Sequence, residues 1–263
     1  MRGLGWALAT GALATGCATA SPFLAPARVL RPNKLELDVG TAYHAPVASS
    51  ALSDAQASTA TEAARLRASA VYGVTPPGVV PYVAGRTGIG QRSEGSLALI
   101  GRVVRIGVRR GVVRQGEFSF SAGVNGRLAF VAGAQDAAVP RAAITESRLY
   151  GGELTAMVGT NRQDIYHLWA GVRVGYLWGD STLVLGGATG MQDVYAFSSH
   201  RLEGAAVLGL RVGFGRVAVS AEIDLSYAWA TASALPAGGV VTRETGSATG
   251  FALIPAGALS YRF

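Results

Sequence analysis

From Gly250 to Phe263 the chain sets Phe251, Leu253, Leu259, Tyr261 and Phe263 against small or polar neighbours. Period-two alternation sends successive side chains to opposite faces of a strand, and about ten such residues, tilted, cross a bilayer. The pattern recurs upstream. Leu35, Leu37, Val39, Thr41 and Tyr43 alternate with Glu36, Asp38, Gly40, Ala42 and His44. Tyr166, Leu168, Ala170, Val172, Val174, Tyr176 and Trp178 share one face, and the row from Val217 to Trp229 lies opposite Ser220, Glu222, Asp224 and Ser226. A strand with an apolar row on one side and carboxylates on the other suits a closed barrel, lipid outside and a polar interior within.

Composition argues the same way. Nearly half of the 263 residues are hydrophobic, yet beyond the N-terminal segment no run of about 18 apolar residues offers a membrane helix. The 36 glycines are scattered through apolar runs such as Gly171-Val-Arg-Val-Gly175 and Gly209-Leu-Arg-Val-Gly213. Each would weaken a helix by roughly 1 kcal/mol, whereas a tightly curved sheet uses glycine where strands bend or backbones approach. The net charge of +7 is almost wholly arginine, Lys34 being the single lysine. The cations are dispersed along strands and not gathered in a patch, which argues against a nucleic-acid partner and favours rims facing anionic lipid head groups.

The ending Leu259-Ser-Tyr261-Arg-Phe263 resembles the C-terminal assembly signal of bacterial outer-membrane proteins, in which alternating hydrophobic residues finish in an aromatic. The resemblance implies a Gram-negative outer-membrane location, with outer-membrane lipids and the outer-membrane insertion machinery as partners, the machinery reading Leu259, Tyr261 and Phe263.

Residues 1–16 hold Arg2 and an apolar stretch from Leu4 to Leu13, the form of a secretory signal peptide. The following Ala14-Thr-Gly-Cys17 resembles the lipobox of bacterial lipoproteins, which implies lipidation at Cys17. Ala18-Thr-Ala20 before Ser21 is an ordinary signal-peptidase site, so cleavage after residue 20 is the alternative. Cys17 is the single cysteine, excluding an intramolecular disulfide or a cysteine metal site. A periplasmic N-terminal lead over 17–33 and a barrel over 34–263 complete the division.

Strands are expected over 35–44, 66–74, 79–88, 96–106, 117–131, 149–159, 166–178, 202–214, 217–229 and 250–263. The fold class is therefore all-β: an antiparallel up-and-down transmembrane β-barrel of ten strands, with eight and then twelve as the other even counts. Long connections after Ala45, Gly88, Ala132, Gly179 and Ala230 alternate with short ones near Thr75, Arg109, Thr160 and Gly213. That puts both termini on the periplasmic side.

In this phase Glu36, Asp38, Arg67, Arg173, Glu203, Arg211, Glu222 and Asp224 point into a narrow lumen, since a charge on the lipid face costs a few kcal/mol. Opposed arginines and carboxylates can fill that space as a hydrogen-bonded plug. The main functional expectation is a structural or scaffold component of the cell envelope that holds other envelope proteins in a secretion, adhesion or motility assembly. A narrow pore for ions or small solutes is the second reading. A hydrolase or acyltransferase is the third, resting on His44 and His200 near the outer rim with Asp180 and Asp193 nearby, while His167 lies near the periplasmic end. No catalytic motif, metal-ligand spacing or cofactor signature accompanies them.

Overall fold

Along the strand from Tyr166 onward, exposure switches at every step: Tyr166, Leu168, Val172, Val174, Tyr176 and Trp178 lie on the surface, and His167, Trp169, Arg173 and Leu177 are buried. This is the pleat of a strand with lipid on one side and a filled lumen on the other. The computed structural model describes residues 22–57, 59, 61, 64–65, 68–69, 78–136, 142–186, 192–236 and 244–263. Ten strands follow in order: β1 Leu35–Ala48, β2 Gly78–Gly90, β3 Ser93–Ile100, β4 Val103–Gln115, β5 Phe118–Asp136, β6 Ala142–Arg162, β7 Tyr166–Gly186, β8 Gln192–Phe214, β9 Val217–Pro236 and β10 Glu244–Arg262. A helix, α1 Ser50–Gln56, follows β1. Each strand pairs with its sequence neighbour, and β10 returns antiparallel to β1, closing the barrel. Closure leaves no edge with unpaired backbone groups, the condition for sheet in a bilayer.

Ten is the number expected, but two strands are assembled differently. The strand expected over 66–74 is not in the wall: β1 pairs directly with β2, from Leu35 opposite Thr87 to His44 opposite Gly78. Of that stretch, Ala68 and Ser69 are described and are helical, as are Ala64 and Arg65 just before it. Alanine, leucine and arginine are strong helix formers, and alanines set no convincing polar–apolar alternation. The strand expected over 96–106 is instead the β3–β4 hairpin, pairing Ile100 with Val103 and turning at Gly101, whose φ is 57°. A left-handed backbone of this kind costs glycine little. Arg109 and Arg110 lie inside β4, not at a turn. Pro81 sits within β2 next to Tyr82, whose partner Ile100 is the last residue of β3. Its missing N–H therefore falls where the ladder with β3 ends.

The expected long connection after Gly88 is a short turn at 91–92, and the segment 179–199 is mostly strand, extending β7 to Gly186 and beginning β8 at Gln192. The start of β1 and the end of β10 do lie together at the short-turn end, where the Phe263 amide donates to the Leu35 carbonyl at 2.9 Å. Wall height is uneven: β3 has 8 residues and β8 has 23.

The outer surface carries a continuous apolar band, with Ile106, Leu154 and Phe214 each more than 60% exposed. Such an area far exceeds the few hundred Å² that a water-soluble monomer shows. Aromatic girdles bound it, as at a membrane's two interfaces. Tyr227 packs on Phe251 at 4.8 Å toward the tall end, and Tyr261 meets Phe263 edge-on at 4.8 Å at the short-turn end. Phe263→Asp removes one of these anchors and the closing aromatic of β10. The expected result is a fall in folded, heat-modifiable protein in the membrane; unchanged amounts would count against a role for the terminal aromatic in assembly.

Candidate functional site in the lumen

Two segments enter the barrel from opposite ends. Residues 22–32, read from the sequence as part of a periplasmic lead, form a strap inside the wall. Phe23, Leu24, Ala25, Ala27 and Leu30 are all buried. The strap leaves at the short-turn end, where Pro32 bridges Gly88 and Asn33 reverses the chain at φ 60° into β1. From the tall end, the β1–β2 connection brings Ala55 of α1 and Ala68 against Ile144, Leu183, Tyr195, Phe197, Ala230, Ala232 and Ala248. Ser49 caps α1 by accepting from the Leu52 amide, and its hydroxyl donates to the Thr249 carbonyl, tying the helix to β10.

Glu222 holds the strap. Its carboxylate accepts the Phe23 amide at 2.5 Å, the Leu24 amide at 2.8 Å and the Trp169 indole N–H at 3.1 Å. Trp169 is fully enclosed. It fits because its partner across β7 and β8 is Gly209, where a methyl group would run into the indole. The guanidinium groups of Arg105 and Arg109 both lie over the Phe23 ring, each 5.2 Å from its centroid, a desolvated cation–π arrangement. Arg105 and Arg109 also donate to the carbonyls of Pro22 and Ala25, at 3.0 and 3.4 Å. The Tyr82 hydroxyl donates to the Phe23 carbonyl at 3.4 Å, and the Leu30 amide binds Glu94 at 2.8 Å.

Around this clamp runs a network of arginines and carboxylates. Near the short-turn end Glu36 accepts both Nη groups of Arg211 at 2.5 and 2.7 Å, Nε of Arg262 at 3.1 Å, and Arg86. Arg86 also faces Asp38 at 3.4 Å and Glu94 at 3.7 Å, and Glu94 takes Arg109 at 2.6 Å. Higher up, Arg173 binds Asp224 at 2.8 Å, while Glu153 stands 3.7 to 3.9 Å from Arg173, Arg127 and Arg105. Glu203 closes the chain with Arg127 at 2.6 Å and Arg201 at 2.7 Å. Buried pairs of this kind hold together only if nearly every member is satisfied. At the short-turn mouth, outside the bilayer, Asp164 is held below the ordinary aspartate range by a hydrogen bond from Asn161 and by Arg28 and Arg31.

The structure thus gathers Glu36, Asp38, Arg173, Glu203, Arg211, Glu222 and Asp224 in the lumen. Arg67 and Cys17 lie outside the described residues. Sequence reasoning passed over Arg86, Arg105, Arg109, Arg127, Glu94, Glu153 and Arg201. Arg127 and Glu153 sat on the polar face of strands already recognised, so their signal was present. Arg105 and Arg109 were hidden by the misplaced turn. Glu222 was read as one lumen charge among several; its role as strap receptor had no sequence signal, because its partners are backbone amides.

The histidines are not assembled into one centre. His200 lies on the outer wall, with Nδ1 2.7 Å from the Tyr176 hydroxyl and its ring stacked on Tyr176, beside Trp178. His167 is buried at the short-turn end and His44 is buried in β1. Asp180 is paired in register with Ser198, and the side chain of Asp193 lies outside the described residues.

No protein-family model and no curated protein matches the chain. Solved structures do. The outer membrane protease OmpT of Escherichia coli superposes with a TM-score of 0.51 at 7% identity, over 88% of this chain and 97% of that one. The toluene transporter TodX of Pseudomonas putida aligns over 95% and 96% of the two chains, with a TM-score of 0.34 and 11% identity. The attachment invasion locus protein Ail of Yersinia pestis covers 88% and 99%, with a TM-score of 0.31 and 11% identity. With its closed ten-strand wall, apolar band and aromatic girdles, this chain has the fold of the outer-membrane β-barrels of Gram-negative bacteria, and that membrane is where the band belongs.

Proposed function

We propose that the protein is a sealed structural barrel of the outer membrane, without catalytic activity, that presents its tall outer wall and its periplasmic mouth to other envelope components. The observation that carries this reading is the filling of the lumen at successive levels. The strap and its Glu222 clamp occupy the periplasmic half, the arginine–carboxylate network the middle, and the α1 connection the outer half. A conducting pore needs a continuous water path; here the groups that would line it are spent on one another. Against a counterpart to the protease activity of one structural neighbour stands the dispersal of the histidines: His44 is buried in β1, His200 lies on the outside of the wall and His167 at the end opposite the outer mouth.

Single-channel recording of the refolded protein in a planar bilayer tests this. The expected result is silence from protein shown to be folded by heat-modifiability. Reproducible conductance steps with charge selectivity would replace the sealed reading by that of a narrow pore.

A further inference from the structure

The position of the strap bears on how the chain is processed. Phe23 is clamped at Glu222, five residues along β9 from its periplasmic start at Val217, and touches Tyr82, eight residues from the periplasmic end of β2 at Gly90. A tilted strand climbs about 2.5 Å per residue, so Phe23 lies roughly 12–20 Å above the periplasmic rim, inside the wall. Cys17 precedes it by six residues, which span at most about 21 Å when fully extended. A lipid on Cys17 would have to reach the inner leaflet by coming down through the same lumen and then outward under the rim by about a barrel radius, on the order of 10 Å. The descent alone uses most or all of the available length. The path is also taken, because Leu24, Ala25, Ala27 and Leu30 already fill that half of the lumen. A strap seated at Glu222 and an acyl anchor at Cys17 exclude each other.

We infer that the export signal is removed between Ala20 and Ser21, and that the mature N-terminal segment, clamped at Glu222, is an internal ligand of its own barrel. Hydrolysis of that peptide bond consumes one water and leaves a carboxylate on Ala20 and a protonated amine on Ser21. The new terminus lies one residue before Pro22, whose carbonyl is bound by Arg105. The Ala18-Thr-Ala20 motif before Ser21 supplies the small residues that ordinary signal peptidase requires.

Two measurements test this. Intact mass spectrometry of protein extracted from its native membrane is expected to give an unacylated chain beginning at Ser21, unchanged in a Cys17→Ser variant. A mass beginning at Cys17 with acyl chains, or loss of processing in the variant, overturns the inference. Because Lys34 is the single lysine, a Lys34→Arg variant leaves the α-amine as the one primary amine. Its acylation by a water-soluble amine reagent is expected to be at least about a hundredfold slower in the folded barrel than after unfolding. Equal rates would show a terminus in solvent and overturn the internal seating of the segment. An acylated, electrically silent barrel would sink this inference while leaving the sealed reading intact.

Discussion

Glu36→Gln is expected to lower the thermal unfolding midpoint of the barrel more than any other lumen substitution. One carboxylate there serves Arg86, Arg211 and Arg262. Arg86 retains Asp38 and Glu94, but among the described residues Arg211 has no second acid within ion-pair distance. Removing the charge strands a buried guanidinium, and breaking such a pair from one side costs about 3–5 kcal/mol. Heat-modifiability followed against temperature in detergent reads the loss directly. Adding Arg211→Leu to Glu36→Gln should recover part of it, because a pair replaced by apolar groups on both sides is far less damaging than a half-pair. A single variant that unfolds with the wild type would show that Glu36 is no hub.

The second large effect belongs to Glu222→Leu. It leaves three buried donors, the amides of Phe23 and Leu24 and the indole of Trp169, without their acceptor. Each stranded donor costs about 1–3 kcal/mol, and the three share one acceptor, so their costs do not simply add. The wall keeps its own ladder. The strap does not keep its seat, and the expected outcome is fast hydrogen exchange at Phe23 and Leu24 with little change in the strands. Glu222→Gln retains an acceptor oxygen and should fall between. Protection at those two amides that survives Glu222→Leu would mean that the arginine contacts to the Pro22 and Ala25 carbonyls hold the strap without help.

These two residues also mark how far the sequence could be read. Glu36 and Glu222 were assigned to the lumen because period-two alternation has only two phases, and the apolar row fixes which is outside. The phase carried over to Asp38, Arg173, Glu203, Arg211 and Asp224 for the same reason. What alternation does not encode is which wall residue meets which across the lumen. Arg211 and Glu36 are 175 positions apart, brought together by closure and stagger of the whole barrel. Turn placement failed where apolar runs cross a turn without interruption, as through Leu99-Ile-Gly-Arg-Val103. It failed again at residues 66–74, where alanine fits a helix as readily as a strand. The strap was illegible for a different reason: a short, proline-containing apolar segment ahead of the first strand has no periodicity, and only the finished lumen gives it somewhere to go.

The low wall at β3 has a bearing on the surrounding lipid. Eight residues at the tilt of a barrel strand rise about 20 Å, less than the roughly 25 Å apolar band of outer-membrane barrels. The neighbouring strands on the β7 and β8 side are long enough to cross with residues to spare. The bilayer therefore meets a hydrophobic mismatch on one flank alone and must thin there, at a cost of fractions of a kcal/mol per Å. Thinned lipid is relieved when a second short-walled surface shares it, so membrane elasticity gives the barrel a preferred side for lateral neighbours.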